Sequence, residues 1–290
     1  MRTRTALLLS LAAMLGVQCM GLLGGLLPAG LRVWVNGLAA LLCFGGAAYL
    51  GLCVADGDQS AMLPLRRLSS AQALWLCACG ALLVCPVTLL SDIVSAQALR
   101  FAQAFGMRAK AAAPAGADLS LFAPTLLLSG VLAPVCEEAF FRGYLLSVFA
   151  RRDREQAAVA TALLFALSHG INGDLPLYLL LGLLFAAAAL HTGSVLAPLM
   201  LHMAYNVTLI LLAATPLSAL FAGLTPLSGM ARLFGCAGLM YVLKRAWLAR
   251  GVRGGGNIAL TRREALCLVG VVLAVVLAQV TAMWAAGGNV

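Results

Sequence analysis

Long runs of almost uninterrupted apolar residues dominate this chain, at roughly 6–27, 33–54, 72–94, 119–149, 156–170, 175–192, 194–215, 228–243 and 264–286. A helix needs about 20 residues to cross a ~30 Å hydrocarbon layer. Within that layer backbone groups are satisfied only inside a helix or a closed barrel. Most of the runs have the helical length; 119–149 is longer and 156–170 shorter. Only 10% of the 290 residues are charged and 63% are hydrophobic, whereas a soluble domain carries about a quarter charged residues. A soluble fold, a disordered chain and a disulfide-stapled secreted scaffold are excluded. The expected fold is all-α, a polytopic transmembrane bundle of about eight or nine spans. Pro216 and Pro226 leave the boundary near 216–227 open.

The net charge of +9 sits in short clusters between the runs: Arg2 and Arg4; Arg66 and Arg67; Arg151, Arg152 and Arg154; and Lys244 to Arg263. That is the pattern of the positive-inside bias. With Arg2 and Arg4 inside, the loops at 55–71, 150–156 and 244–263 all fall on the inner side, and the N-terminal run reads as an uncleaved first span. The 95–118 segment, with Arg100, Arg108 and Lys110, is the exception; it reads as a helix lying at the interface, a lid or lateral gate. No basic stripe is interleaved with aromatics, so nucleic acid is not an expected partner. The partners are the bilayer and a membrane-borne peptide; nothing in the sequence speaks to oligomeric state. The nine cysteines form no C-x-x-C pair and no metal-ligand spacing, and most lie within apolar runs as small hydrophobes. No internal repeat is evident, which weighs against a transporter built from inverted repeats.

Ionisable groups deep in a bilayer are costly and mark function by default. Of the ten acids, Asp56, Asp58, Asp92, Asp118, Asp153, Glu155, Asp174 and Glu264 lie in loops or near run ends; only Glu137 and Glu138 lie deep in a run. Spans four and five form a hairpin about Asp153. Glu137 and His169 are each 16 residues from that turn, hence each about 24 Å from it at ~1.5 Å rise per residue. His202 and Asn206, 8 and 12 residues beyond Ser194, lie roughly 12–18 Å from the next inner turn. Four polar groups from three helices can therefore meet inside the membrane. Glu138 and Arg142 are i, i+4 and can pair on one face. Glu137 points about 100° away from Glu138, so one carboxylate can be held by Arg142 while the other faces a cavity. A carboxyl in apolar surroundings is suited to general-base work.

These residues also carry a family resemblance. Glu137-Glu138-Ala139-Phe140-Phe141-Arg142 resembles E-E-x-x-x-R, Phe165-Ala166-Leu167-Ser168-His169 resembles F-x-x-x-H, and His202-Met203-Ala204-Tyr205-Asn206 resembles H-x-x-x-N. Thr192-Gly193-Ser194 is similar to the turn that usually precedes the last motif. Together, over roughly residues 118–210, they resemble the CAAX-protease and bacteriocin-processing (CPBP) family of glutamic-type intramembrane endopeptidases. The resemblance implies a catalytic core at 118–215 of four helices around a polar cavity, between N-terminal spans and an interfacial segment at 1–117 and C-terminal spans at 216–290. It implies that Glu137 activates a water, helped by His169. His202 and Asn206 then donate to the developing oxyanion. Glu138 and Arg142 hold the helix face, and Phe141 and Phe165 wall the pocket.

No cofactor is expected. Glu137, His169 and His202 form the zinc set of the metal-dependent alternative. The chain has no H-E-x-x-H, no G-x-G-D and no G-x-S-G, the signatures of metallo-, aspartyl and rhomboid-like serine intramembrane proteases. Two non-protease alternatives remain: a scaffold or regulator on the same fold, as some family members are, and a proton-coupled carrier using Glu137 and His169 as a relay. The richness in Ala, Gly, Leu and Arg points to a bacterial inner membrane.

Overall fold

The computed structural model describes residues 2–54, 59–104, 119–170 and 174–214. The described residues are helical, with no strand. Seven helices carry the fold: α1 (Arg2–Gly25), α2 (Ala29–Val54), α3 (Ser70–Ala104), α4 (Phe122–Phe149), α5 (Arg154–Ser168), α6 (Leu175–Thr192) and α7 (Leu196–Ala214). Five of them, α1, α2, α4, α6 and α7, are long and apolar enough to cross a membrane, and the protein is a multi-pass membrane protein. The runs at 228–243 and 264–286, the basic loop at 244–263, and Asp56, Asp58, Asp118 and Glu264 lie outside the described residues.

The interfacial helix expected over 95–118 does not begin at 95. Residues 95–104 continue α3, which runs unbroken from Ser70 through Ala104. Of the residues that suggested an interface, Arg100 is an isolated charge in a sequence with good helix formers on either side, and nothing there breaks the backbone ladder. Residues 105–118 are outside the described set.

α4 is the axis of the fold. It is α-helical only in part, with wider π turns over Leu126–Leu132 and Ala139–Leu145 on either side of the six residues Ala133–Glu138. The first π turn has a local cause. Pro134 has no N–H to give and its ring crowds the preceding turn, and Ala133 N–H reaches back five residues, to the carbonyl of Leu128. In that register the Ser129 carbonyl would need the Pro134 N–H that does not exist.

The flanking helices begin and end where their sequences say they should. The Asp153 carboxylate accepts from Gln156 N–H at 2.8 Å and caps the N-terminus of α5. Gly170, at φ 96°, takes the left-handed turn that stops α5 immediately after His169. Pro176 sits in the first turn of α6, and Gly193, at φ 64°, closes its C-terminus. The Ser194 hydroxyl donates to the Arg66 carbonyl at 2.7 Å and Val195 N–H donates to Pro64 O at 2.9 Å, so the extended stretch before α3 is tied to the α6–α7 turn.

α3 packs along α7, α5 along α6, and α6 against α7, while α2 lies against α4. Large side chains such as Leu8, Trp34, Leu74 and Leu180 point outward, as expected where the surrounding solvent is hydrocarbon. The interior is an aromatic column: Phe44 to Phe141 at 5.3 Å, Phe141 to Phe165 at 5.4 Å and Phe165 to Phe185 at 6.2 Å between ring centroids. These edge-on and tilted pairings are the preferred ones for rings. α5 and α6 approach closely because Gly182 has no side chain: a Cβ there would lie 2.9 Å from the Cα of Ala162. Gly182→Leu is therefore expected to cost about 1–3 kcal/mol through overpacking, read as a lower midpoint of thermal unfolding in detergent. A midpoint equal to that of the parent chain contradicts this packing.

Candidate active site

Three helices bring their polar residues to one place. Glu137 and Glu138 come from the short α-helical stretch of α4 between its π turns, His169 from the C-terminal cap of α5, and His202 from the second turn of α7. Glu138 is fully buried and Glu137 is 8% exposed. Neighbouring positions on a helix point in different directions, and the two carboxylates have different partners.

Glu138 belongs to a buried network in which its Oε2 and Arg142 Nε are left without a hydrogen-bond partner. Its Oε1 accepts from Arg142 Nη1 at 3.2 Å and lies 2.8 Å from His202 Nδ1. Arg142 Nη2 donates to the Gly182 carbonyl at 3.1 Å, tying α4 to α6. The guanidinium lies over the Phe165 ring at 4.3 Å from its centroid, with Phe185 at 5.4 Å and Phe141 at 5.7 Å. A delocalised, weakly hydrated cation suits such an aromatic cage better than an ammonium would.

Glu137 faces elsewhere. Its Oε2 makes no direct hydrogen bond and lies 3.9 Å from His169 Nε2 and 4.0 Å from His202 Nε2. These separations exceed a hydrogen bond, but one water oxygen at ~2.8 Å from both members of a pair spans about 4 Å. The far side of each ring is held. His169 Nδ1 is 2.9 Å from the Phe165 carbonyl, and a carbonyl only accepts, so Nδ1 carries the proton. His202 Nδ1 meets the Glu138 carboxylate in the same way. In a neutral ring of that tautomer Nε2 presents a lone pair. Aromatic rings fix both imidazoles: Tyr178 stacks on His169 at 4.3 Å and 22°, and Phe185 on His202 at 4.9 Å and 25°.

Tetrahedral zinc with N and O ligands at about 2.0–2.2 Å would place those ligands roughly 3.4 Å apart. The observed 3.9 and 4.0 Å are about half an ångström too wide, and no group of three His, Cys, Asp or Glu side chains among the described residues has the spacing to hold a metal. Glu137, His169 and His202 as placed do not fit zinc.

Asn206, one turn beyond His202 on α7, donates its amide to the Ser129 carbonyl at 3.0 Å. That is the carbonyl left over by Pro134 in the first π turn of α4. One amide hydrogen is thus engaged in joining α7 to α4, and the other is not accounted for by that bond.

Phe141 and Phe165, which the motif reading singles out, are both buried. That reading did not single out Phe185, Tyr178, Gly182 or Gln18. Tyr178, Gly182 and Phe185 are i, i+4 and i+7 on α6 and share one face, so helical spacing could have exposed them. Gln18 could not be found that way. Its Nε2 donates at 3.1 Å to the carbonyl of Ser168, next to His169, from the first helix of the chain.

Removing one member of a buried ion pair leaves the other charged and unpaired, at about 3–5 kcal/mol. Arg142→Met is thus expected to unfold at a markedly lower temperature than the parent. Adding Glu138→Gln is expected to recover part of the loss, since position 138 then no longer holds a carboxylate without its cation. Strictly additive losses in the double-mutant cycle would show that the pair is not coupled.

Residues 119–208 match the family described as type II CAAX prenyl endopeptidase Rce1-like. An uncharacterized 24.3 kDa protein of Escherichia coli is 38% identical over 85 residues, which cover 27% of this chain. The chain spans 39% of that relative's length. No solved structure gives a significant match. The helical segment at 119–208, which carries Glu137, His169, His202 and Asn206, is the part of the chain that is similar to the Rce1-like type II CAAX prenyl endopeptidases.

Proposed function

We propose that this protein is a glutamic-type intramembrane endopeptidase that hydrolyses a peptide bond in a membrane-anchored, lipidated or hydrophobic substrate. The observation that carries the reading is the buried Glu137 Oε2 facing two imidazole Nε2 atoms at 3.9 and 4.0 Å. Carboxylate and imidazole at one-water spacing are what activation of a nucleophilic water requires.

In this reading a water gives one hydrogen bond to Glu137 Oε2 and the other to His169 Nε2, so its lone pair faces the scissile carbonyl. As the oxygen attacks the carbonyl carbon, Glu137 takes a proton and the carbonyl π electrons move to oxygen. His202 and the second amide hydrogen of Asn206 donate to that oxyanion, the kind of term that usually contributes most to acyl transfer. When the intermediate collapses, the C–N bond breaks and Glu137 returns the proton to the leaving amine. No metal takes part. Phe141, Phe165 and Phe185 keep bulk water from the charges, which strengthens each interaction.

The topology that goes with this reading has nine spans, with two further ones at 228–243 and 264–286, and a cytoplasmic N-terminus in a bacterial inner membrane. The three parts are 1–117, the catalytic core at 118–215 and 216–290. The substrate then enters from the bilayer rather than from water.

Loss of a general base costs about 10²–10⁴-fold. Glu137→Gln is expected to reduce turnover of a farnesylated C-terminal CAAX peptide by that amount, at unchanged protein level, and to alter specific membrane-protein termini in quantitative terminal proteomics. Turnover by the parent is expected to survive exhaustive chelation. If Glu137→Gln changes no terminus and no turnover, the chain is a scaffold on this fold; activity lost to chelation and restored by zinc overturns the metal-free mechanism.

A further inference from the structure

The bond between Glu138 and His202 has a consequence for the reaction. Glu138 Oε1 lies 2.8 Å from His202 Nδ1, and the same oxygen accepts from Arg142 at 3.2 Å. A carboxylate accepts and does not donate, so the ring proton of a neutral His202 is on Nδ1. Its Nε2, the atom 4.0 Å from Glu137 Oε2, then has no proton to give. Donation to an oxyanion from that atom requires a ring that carries protons on both nitrogens. The groups facing it are Glu137 and Glu138 from α4, with Arg142 behind Glu138 and His169 from α5; Phe165 and Phe185 supply the apolar walls.

We propose that Glu138 is the positioning residue for His202: it turns Nε2 toward the reaction centre and is the counter-ion of the ring when both nitrogens are protonated. The arrangement is that of a carboxylate behind a catalytic imidazole, where the carboxylate sets the tautomer and stabilises the imidazolium without itself taking a proton. Arg142 holds Glu138 in place from the same oxygen, and Phe185 stacked on the ring at 4.9 Å leaves it little freedom to flip. The glutamate pair thus divides its work. Glu137 handles the water, and Glu138 acts only through His202. The catalytic part of this assignment rests on the endopeptidase reading above; the position of the ring proton does not.

The chain has three histidines, so nitrogen NMR of the full-length, histidine-labelled protein in micelles resolves all of them, with exposed His191 as an internal standard. His202 is expected to show a protonated Nδ1 in the parent protein. An unprotonated Nδ1 with the proton on Nε2 overturns the proposal without any variant being made. In Glu138→Gln, an amide of the same shape, the His202 signals are expected to change while those of His169 keep their protonated Nδ1. Turnover of the farnesylated peptide per folded molecule is expected to fall on the order of 10²-fold in kcat, with KM within about twofold. A purely structural role for Glu138 would lower the yield of folded protein and leave kcat per folded molecule at the parent value, which also overturns the proposal. A parent chain that cleaves no probe defeats the protease reading, and the ring-proton arm is then decided by the spectrum alone.

Discussion

One buried guanidinium organises this fold. Arg142 bonds Glu138 on its own helix and the Gly182 carbonyl on another, under three aromatic rings drawn from three helices. In a hydrocarbon surrounding there is little hydrophobic force between helices, so packing and interhelical hydrogen bonds decide how they meet. A charge inside such a bundle is tolerated only with its partner and its cage in place. The cage supplies the walls of the site, and the partner carboxylate reaches His202. Packing and chemistry therefore share atoms, and a change that weakens one disturbs the other.

The backbone of α4 works in the same direction. Pro134 leaves the Ser129 carbonyl without an internal donor in the first π turn, and Asn206 on α7 supplies one. π turns occur often at functional sites because they break the regular ladder at a defined place. Here one lies on each side of the glutamate pair. The break in α4 and the docking of α7 thus fit one another, and Asn206 acquires a structural task in addition to the catalytic one proposed for it. At the opposite corner, Gly170 ends α5 just past His169, so the imidazole is presented from a helix terminus rather than from a helix face.

Much of this was legible in the residues. The equal distance of Glu137 and His169 from Asp153 reports a common depth because helical rise is constant, and the two groups do meet at 3.9 Å. The i, i+4 spacing of Glu138 and Arg142 reports a pair for the same reason, and the pair is there at 3.2 Å even within a wider turn. The helix boundary expected at 95 is not there, because residues 95–104 hold good helix formers and α3 continues to Ala104. Phe185, Tyr178 and Gln18 went unseen because an aromatic or an amide in an apolar run has many possible uses, and only its neighbours choose among them.

Alone, the sequence determined that the chain lives in a membrane, that two adjacent acids lie deep within an apolar run, and which histidines lie at a matching distance along their helices. These follow from composition, rise per residue and the cost of burying charge, none of which depends on how helices are arranged. The tertiary structure decided what each acid faces. Which acid faces both histidines and which pairs with Arg142 depends on the rotation of α4 against α5, α6 and α7, which is set by long-range contacts such as Arg142 to Gly182 and Asn206 to Ser129. The same contacts bring His202 between the two acids, with one ring nitrogen toward each. Spacing along one chain carries no information on such a rotation, because it is fixed by side chains on other helices.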